Sequence, residues 1–306
     1  MTIFSTSTSA FYERARTDMS SLRGQAESLQ QQIGRGERLQ RSSDDPVAAS
    51  RLRVLARADR MTTIDMANAN RASADLTLAD SALSSFAEYI TRARDLAVQA
   101  GSDILTDEQR AGIGTELEQI HQNLVSLANT RDSAGHALFG GETAGNAYSL
   151  DGAGNAVYLG TASSGDLSLG DGQSVTRGLT GPEFLNFDVA GTSTNILAVV
   201  KTLGEALAGA AADPAAAARD ALGSLSAGLD AVTTSQTVVG ARLAWIDLTV
   251  ERQTDLGELR AAEQSEIGGT DIASTIAQLQ QTMVVLEASQ ASFTRLAGIS
   301  LFDQLR

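Results

Sequence analysis

Apolar residues near both ends of the chain recur at alternating intervals of three and four. Tyr12, Ala15, Met19, Leu22, Ala26, Leu29 and Ile33 form one series. Ile272, Ile276, Leu279, Met283 and Leu286 form a second, whose frame runs on through Gln290 to Phe293, with Leu296 and Leu301 as further apolar positions. This is the heptad stripe, which lays an apolar seam along one helix face and requires a partner helix to cover it. Most of the chain separates the two series. The pattern therefore predicts a chain that leaves a coiled-coil stalk, loops out, and returns to it.

Between the seams, punctuation sets the boundaries. Gly34 and Gly36 end the first series, and a polar stretch runs to Ser43. Asp45 followed by Pro46 predicts a helix start, because the carboxylate caps free amides and proline suits the first turn. Helical spacing then continues to Gly101 and includes Leu76, Ala79, Leu83, Phe86, Ile90, Ala93 and Ala97. Thr106 and Gln109 have capping-box spacing. The helix they open carries Ile113, Leu117, Ile120, Leu124 and Leu127 and is expected to stop near Gly135.

From 136 to 192, Gly140-Gly141, Asp151-Gly152 and Asp171-Gly172 interrupt short alternating runs, which are hairpin signals. Gly181-Pro182 is placed in a loop. Helix resumes near Thr194, and Asp213-Pro214 repeats the cap-then-proline start. A long helix follows, with Leu222, Leu225, Leu229, Val232, Gln236, Val239, Leu243, Ile246 and Val250 in register. Gly268-Gly269 breaks it, and Thr270 is expected to cap the terminal seam. Three domains follow: a terminal-helix coiled-coil core (1–43 and 268–306), a long-helix bundle (44–135 and 193–267) and a β-rich insertion (136–192). Short terminal helices joined through glycine breaks are marginal as a lone pair, so they are expected to order fully only against neighbouring copies.

Composition narrows the function. Aromatics are 4% of the 306 residues against 42% hydrophobic, so burial comes from small side chains at close helix contacts. A net charge of −14 argues against nucleic acid or an anionic membrane as partner. The charge is uneven: residues 1–60 hold ten arginines against seven acids. That basic start either meets acidic surfaces on neighbouring copies or forms a solvated helix face. The absence of cysteine excludes thiolate catalysis, disulfides and a Cys-ligated metal. There is no secretory-signal core and no apolar run of about 18 residues. The residues alone thus leave a cytoplasmic protein, such as a coiled-coil scaffold, or one exported by a route without such a signal.

Candidate chemistry is sparse. His121 sits among apolar helix positions without a metal-binding spacing, and His136 is expected at a helix exit, where a cation suits the helix dipole. Asp44 and Asp45 read as caps before a general acid–base pair. The Asp151–Asn155 and Asp166–Gly172 stretches lack the nine-residue period of glycine–aspartate calcium repeats. Trp245 is expected to pack beside its helix seam. No catalytic residue, cofactor or metal is assigned, and no enzyme activity is expected.

Six stretches, in order, resemble the flagellin-type axial proteins of bacterial flagella. They are Ile33 to Leu52 with its Ser-Asp-Asp-Pro-Val-Ala-Ala run, Ile90 to Gly101, Leu138-Phe-Gly-Gly141, Val239 to Leu243, Gln290-Ala-Ser292, and the closing Ser300 to Arg306. The resemblance covers 1–142 and 193–306. It implies a mainly α fold, an elongated flagellin-like bundle of long helices with a terminal N/C coiled coil and a small, outward-facing β-rich insertion. The Ser-Asp-Asp-Pro-Val-Ala-Ala run, Leu-Phe-Gly-Gly and Ser-Leu-Phe-Asp lean toward a member forming the hook–filament junction layer, with a short filament flagellin as the alternative. The implied partners are other copies in a ring, a hook-side hook-associated protein, filament flagellin and a dedicated export chaperone. The implied location is outside the cell, on the flagellum, after type III export. On this reading Tyr12, Met19, Leu22, Leu29, Ile33, Ile272, Ile276, Leu279, Met283, Leu286, Phe293, Leu296 and Leu301 form the assembly interface, and Asp45, Pro46, Asp213 and Pro214 set the helix starts.

Overall fold

The computed structural model describes residues 3–132 and 134–303, with side chains for 10–132 and 134–296. Seven α-helices and six strands are described, with a π-helical turn at Ala206–Ala210 after α5. They follow the order α1 Ile3–Arg35, α2 Pro46–Ala100, α3 Asp107–Ala128, β1 Tyr148–Leu150, β2 Ala156–Tyr158, β3 Asp166–Gly170, β4 Gln173–Thr176, α4 Gly181–Leu185, β5 Asn186–Val189, β6 Thr192–Asn195, α5 Ile196–Glu205, α6 Pro214–Gly268 and α7 Ile272–Asp303. The chain divides into two compact units, residues 1–60 with 256–306, and residues 61–255.

The second unit is built on the α2 seam. Leu76, Ala79, Leu83, Phe86, Ile90, Ala93 and Ala97 are all fully buried, as are Leu117 and Leu124 of α3 and Leu225, Val232 and Val239 of α6. α5 crosses α3 at glycine: a Cβ on Gly114 would lie 2.8 Å from the Gly204 carbonyl oxygen. Small residues at the crossing allow the close approach that a chain poor in aromatics needs.

The insertion consists of three separate antiparallel hairpins, β1–β2, β3–β4 and β5–β6. Two-stranded hairpins are marginal alone, and these borrow the helical core. Phe139 and Phe184 from the insertion and Phe86 of α2 form one fully buried cluster, with ring centroids 4.8–6.2 Å apart. Asp171-Gly172 makes a turn with both residues at positive φ (53° and 74°), as a two-residue hairpin requires. The β5–β6 hairpin turns at Ala190-Gly191, with φ of 50° and 81°. No turn signal in the sequence marks this hairpin, because alanine rarely adopts the left-handed conformation.

Other boundaries also differ from expectation. α3 stops at Ala128, short of Gly135, because the Asn129 side chain pairs with the Tyr148 backbone: Nδ2 donates to the carbonyl (3.0 Å) and Oδ1 accepts from the amide (2.9 Å). Gly181-Pro182 opens α4 instead of lying in a loop, with the Thr180 amide donating to Glu183 Oε2 at 2.8 Å. All three prolines therefore sit at helix starts. Thr106 and Gln109 do make a reciprocal capping box, at 3.3 and 2.9 Å.

Candidate assembly surface

In the first unit, α1 and α7 lie along each other. The α1 face turned to α7 carries Tyr12, Ala15, Met19, Leu22, Ala26, Leu29 and Ile33, all buried or half-buried, whereas their helix neighbours are mostly exposed. Tyr12 meets Phe293 edge to face, with ring centroids 5.4 Å apart.

On α7 the seam against α1 is not the most apolar one. Its covered positions are Thr275, Leu279, Thr282, Leu286, Ser289 and Phe293, still stepping by four and three. The hydroxyl residues are spaced seven apart, and each donates to the carbonyl four residues earlier: Thr275 to Asp271 (2.7 Å), Thr282 to Gln278 (2.8 Å) and Ser289 to Val285 (2.7 Å). Satisfied by their own helix, they can be covered without leaving an unpaired polar group.

The larger residues of the expected seam point elsewhere. Ile272, Ile276, Met283 and Leu296 are 52, 40, 44 and 47% exposed, with Val284 and Val285 beside them. Leu279, Leu286 and Phe293 belong to both frames. The expected interface residues therefore separate into a set covered within the chain and a set left open. The Leu301 side chain lies outside the described residues. From Ile272 to Leu286 α7 holds no charged residue, which is unusual for a helix with an open face.

The glycine breaks behind these helices are clasped together. Gly36, at φ 70°, ends α1. Glu37 and Gly269 then form an antiparallel bridge, the Arg38 amide donates to the Gly268 carbonyl (2.8 Å), and the Thr270 amide donates to the Gly36 carbonyl (3.0 Å). The cap of α7 falls on Asp271, not Thr270: Asp271 Oδ1 accepts from the Ala273 amide at 3.0 Å. Asp45 Oδ1 accepts from the Ala48 amide (3.0 Å) ahead of Pro46, and that amide chiefly holds the Asp45 carboxyl below its ordinary range. In the second unit, Asp213 Oδ1 likewise accepts from Ala216 (2.9 Å) ahead of Pro214.

Titratable groups in the second unit serve packing. His121 is 4% exposed between α3 and α5, with Nε2 unpartnered; burial first, then Lys201, lowers its pKa. His136 does not sit at a helix exit. Its Nδ1 lies 3.6 Å from Asp132 Oδ2, in the loop after α3. Arg177 bridges Asp75 (3.0 Å) and Asp132 (2.7 Å), tying the strand region to α2. Asp151 Oδ1 accepts from the Ala153 and Asn155 amides (2.8 Å each), so that run is a side-chain-stabilised turn. Trp245 is 42% exposed on the outer side of α6, contrary to the packing role expected of it. Among the described residues no three or more His, Asp or Glu side chains cluster as a metal site, and no helix is long and apolar enough to cross a membrane.

Long helices, a pair formed by the two chain ends and hairpins set between them in sequence make a flagellin-like fold, and residues 6–144 match the bacterial flagellin N-terminal helical region. The chain is similar to flagellar hook-associated protein 3 of two bacteria. It is 27% identical to that protein of Escherichia coli K12 over 289 residues, covering 89% of this chain and 90% of the relative. It is 26% identical to that of Salmonella typhimurium LT2 over 313 residues, covering 97% and 98%. The fold is also similar to a solved putative flagellar hook-associated protein from Vibrio parahaemolyticus, with TM-score 0.67 at 23% identity, covering 74% of this chain and all of that one. A flagellar hook associated protein-3 from Legionella pneumophila gives TM-score 0.63 at 15% identity, covering 70% and 98%.

Proposed function

We propose that this chain is a structural protein of the bacterial flagellum that forms the junction layer between hook and filament, assembling with its own copies through the terminal helices. The observation that carries the reading is the open apolar side of α7. Ile272, Ile276 and Met283 are held in register on a formed helix yet half-exposed, beside a seam already closed by α1. An uncharged, apolar helix face of this kind is an interaction surface. End-to-end similarity to flagellar hook-associated protein 3 supports the junction role over filament flagellin.

The partners in this reading are other copies in a ring, a hook-side hook-associated protein, filament flagellin and a dedicated export chaperone. The protein acts on the flagellum, outside the cell, after type III export. Its role is architectural and not catalytic. The terminal-helix pair (1–43 and 268–306) supplies the assembly core, the long helices (44–135 and 193–267) the body, and residues 136–192 an outward-facing insertion. Terminal helices that gain their full stability only on assembly would suit export in an unfolded form.

A deletion strain tests the proposal. Loss of a junction protein leaves bare hooks and sheds flagellin into the medium. Flagellin absent from both cells and medium would identify the chain as the filament subunit and overturn it.

A further inference from the structure

Two outer helix faces of the first unit carry opposite, unspent charge. On the α2 segment Pro46–Arg60, Ala48, Ala49 and Leu55 are buried, and Leu52, Ala56 and Asp59 are half-buried beside them. The opposite face exposes Val47, Ser50, Arg53, Val54, Arg57 and Arg60. On the α6 segment Leu256–Gly268, Arg260, Glu263, Gln264 and Ile267 turn inward. The exposed face there holds Glu258, Leu259, Ala261, Ala262, Ser265 and Glu266.

The charges are segregated. The inward ones are consumed within the unit: Arg51 grips Glu263 at 2.5 and 2.8 Å, and Arg260 pairs with Asp59 at 2.9 Å. The outer α2 face has three arginines and no acid, and the outer α6 face has two glutamates and no base. None of these five makes an ion pair among the described residues. Each face also has exposed apolar centres between its charges, Val54 at 56% on α2 and Leu259 at 67% on α6. At 1.5 Å rise per residue, Arg53 to Arg60 spans about 10 Å and Glu258 to Glu266 about 12 Å.

We propose that the Arg53–Val54–Arg57–Arg60 face of one copy docks on the Glu258–Leu259–Ala262–Glu266 face of the next. Charge complementarity identifies the occupant as a second copy of this chain. A two-fold contact of either face with itself would set like charges together, so each face meets the opposite face of its neighbour, here in the head-to-tail arrangement that a ring or layer of copies requires. Every copy then offers one face of each kind, and contacts of this type propagate around a ring or along a helix. The inference rests on the self-assembly reading above and assigns it a lateral surface separate from α7. It also accounts for the basic bias of residues 1–60.

Arg53→Glu with Arg57→Glu makes both faces acidic, and Glu258→Arg with Glu266→Arg makes both basic. Each pair is expected to lower incorporation into flagella at least about tenfold with unchanged thermal unfolding of the isolated chain. All four changes in one chain, or co-expression of the two variants, are expected to restore it. Because the chain has no cysteine, Val54→Cys and Leu259→Cys report the contact directly. Copies with either alone should give no disulfide dimer in isolated flagella, co-expressed copies should give dimers, and both cysteines in one chain should give a ladder of multimers. Wild-type incorporation matched by both charge variants, or absence of the mixed disulfide, overturns this surface while leaving the junction role intact. Failure of the wild-type chain to enter flagella overturns the junction role, and this surface with it.

Discussion

Replacing Ile272, Ile276 and Met283 together by glutamine separates the fold of the terminal pair from its use. These side chains are 52, 40 and 44% exposed. Full burial of such a residue is worth about 1.5–3 kcal/mol, so covering the exposed remainder in an assembly contributes about 0.7–1.4 kcal/mol each. The three together contribute roughly 2–4 kcal/mol, and their loss weakens the contact about 30- to 1,000-fold. The isolated chain should hardly notice. Glutamine is a good helix former, and substitutions on an open face usually stay within about 0.5 kcal/mol. The assay pairs urea unfolding of the purified protein with its incorporation into flagella, measured by quantitative peptide mass spectrometry of hook ends. Unfolding loss well above about 1.5 kcal/mol for the triple replacement would mean that these residues already have an intramolecular partner. Incorporation equal to wild type would mean that the open stripe is not an assembly surface. Either result refutes the reasoning.

Phe184→Ala should cost about 3–5 kcal/mol and shift the whole second unit in one transition, because Phe184 packs on Phe86 of α2; separate melting of the hairpins in the wild-type protein would contradict a shared core. Gly141 has φ 67° and a Cβ there would lie 2.2 Å from Thr161 Oγ1, so Gly141→Ala should lower the melting temperature in differential scanning calorimetry. His121 has its pKa held below 6.5 by burial and Lys201, with Glu118 and Glu205 opposing. The unfolded chain therefore takes up a proton before the folded one does, and stability is lost as pH falls below about 6.5. Urea titrations at pH 7 and 5 should show that slope, and His121→Leu should flatten it. Thr106→Ala, which removes the α3 cap, should cost about 1 kcal/mol in the same titration.

The limits of sequence reading are clearest at α7. Both of its frames share Leu279, Leu286 and Phe293, and the more apolar alternative, through Ile272, Ile276 and Met283, is the natural choice from the residues. A signal for the other frame exists: hydroxyls at 275, 282 and 289 recur at the heptad spacing. That signal is weak, because a threonine or serine facing a partner helix becomes acceptable only once its hydroxyl is seen bonded to its own backbone. The β5–β6 hairpin was hidden for a related reason, since Ala190 adopts its left-handed conformation against local preference. Trp245 was misplaced because periodicity locates a stripe on a helix but does not say which stripe is covered.

The helix starts at Asp45-Pro46, Thr106 and Asp213-Pro214, and the seam of α1, were determined by local rules. Caps, prolines and periodicity act over a few residues and survive without knowledge of the rest. What only the tertiary structure decided is which faces meet. The α1 partner selects the hydroxyl-bearing side of α7, the phenylalanines of the insertion join the α2 core, and inward charges pair as Arg51–Glu263 and Asp59–Arg260 while the outer ones make no ion pair among the described residues. Those choices depend on competition between whole faces for a limited number of partners, and no window of sequence contains both competitors.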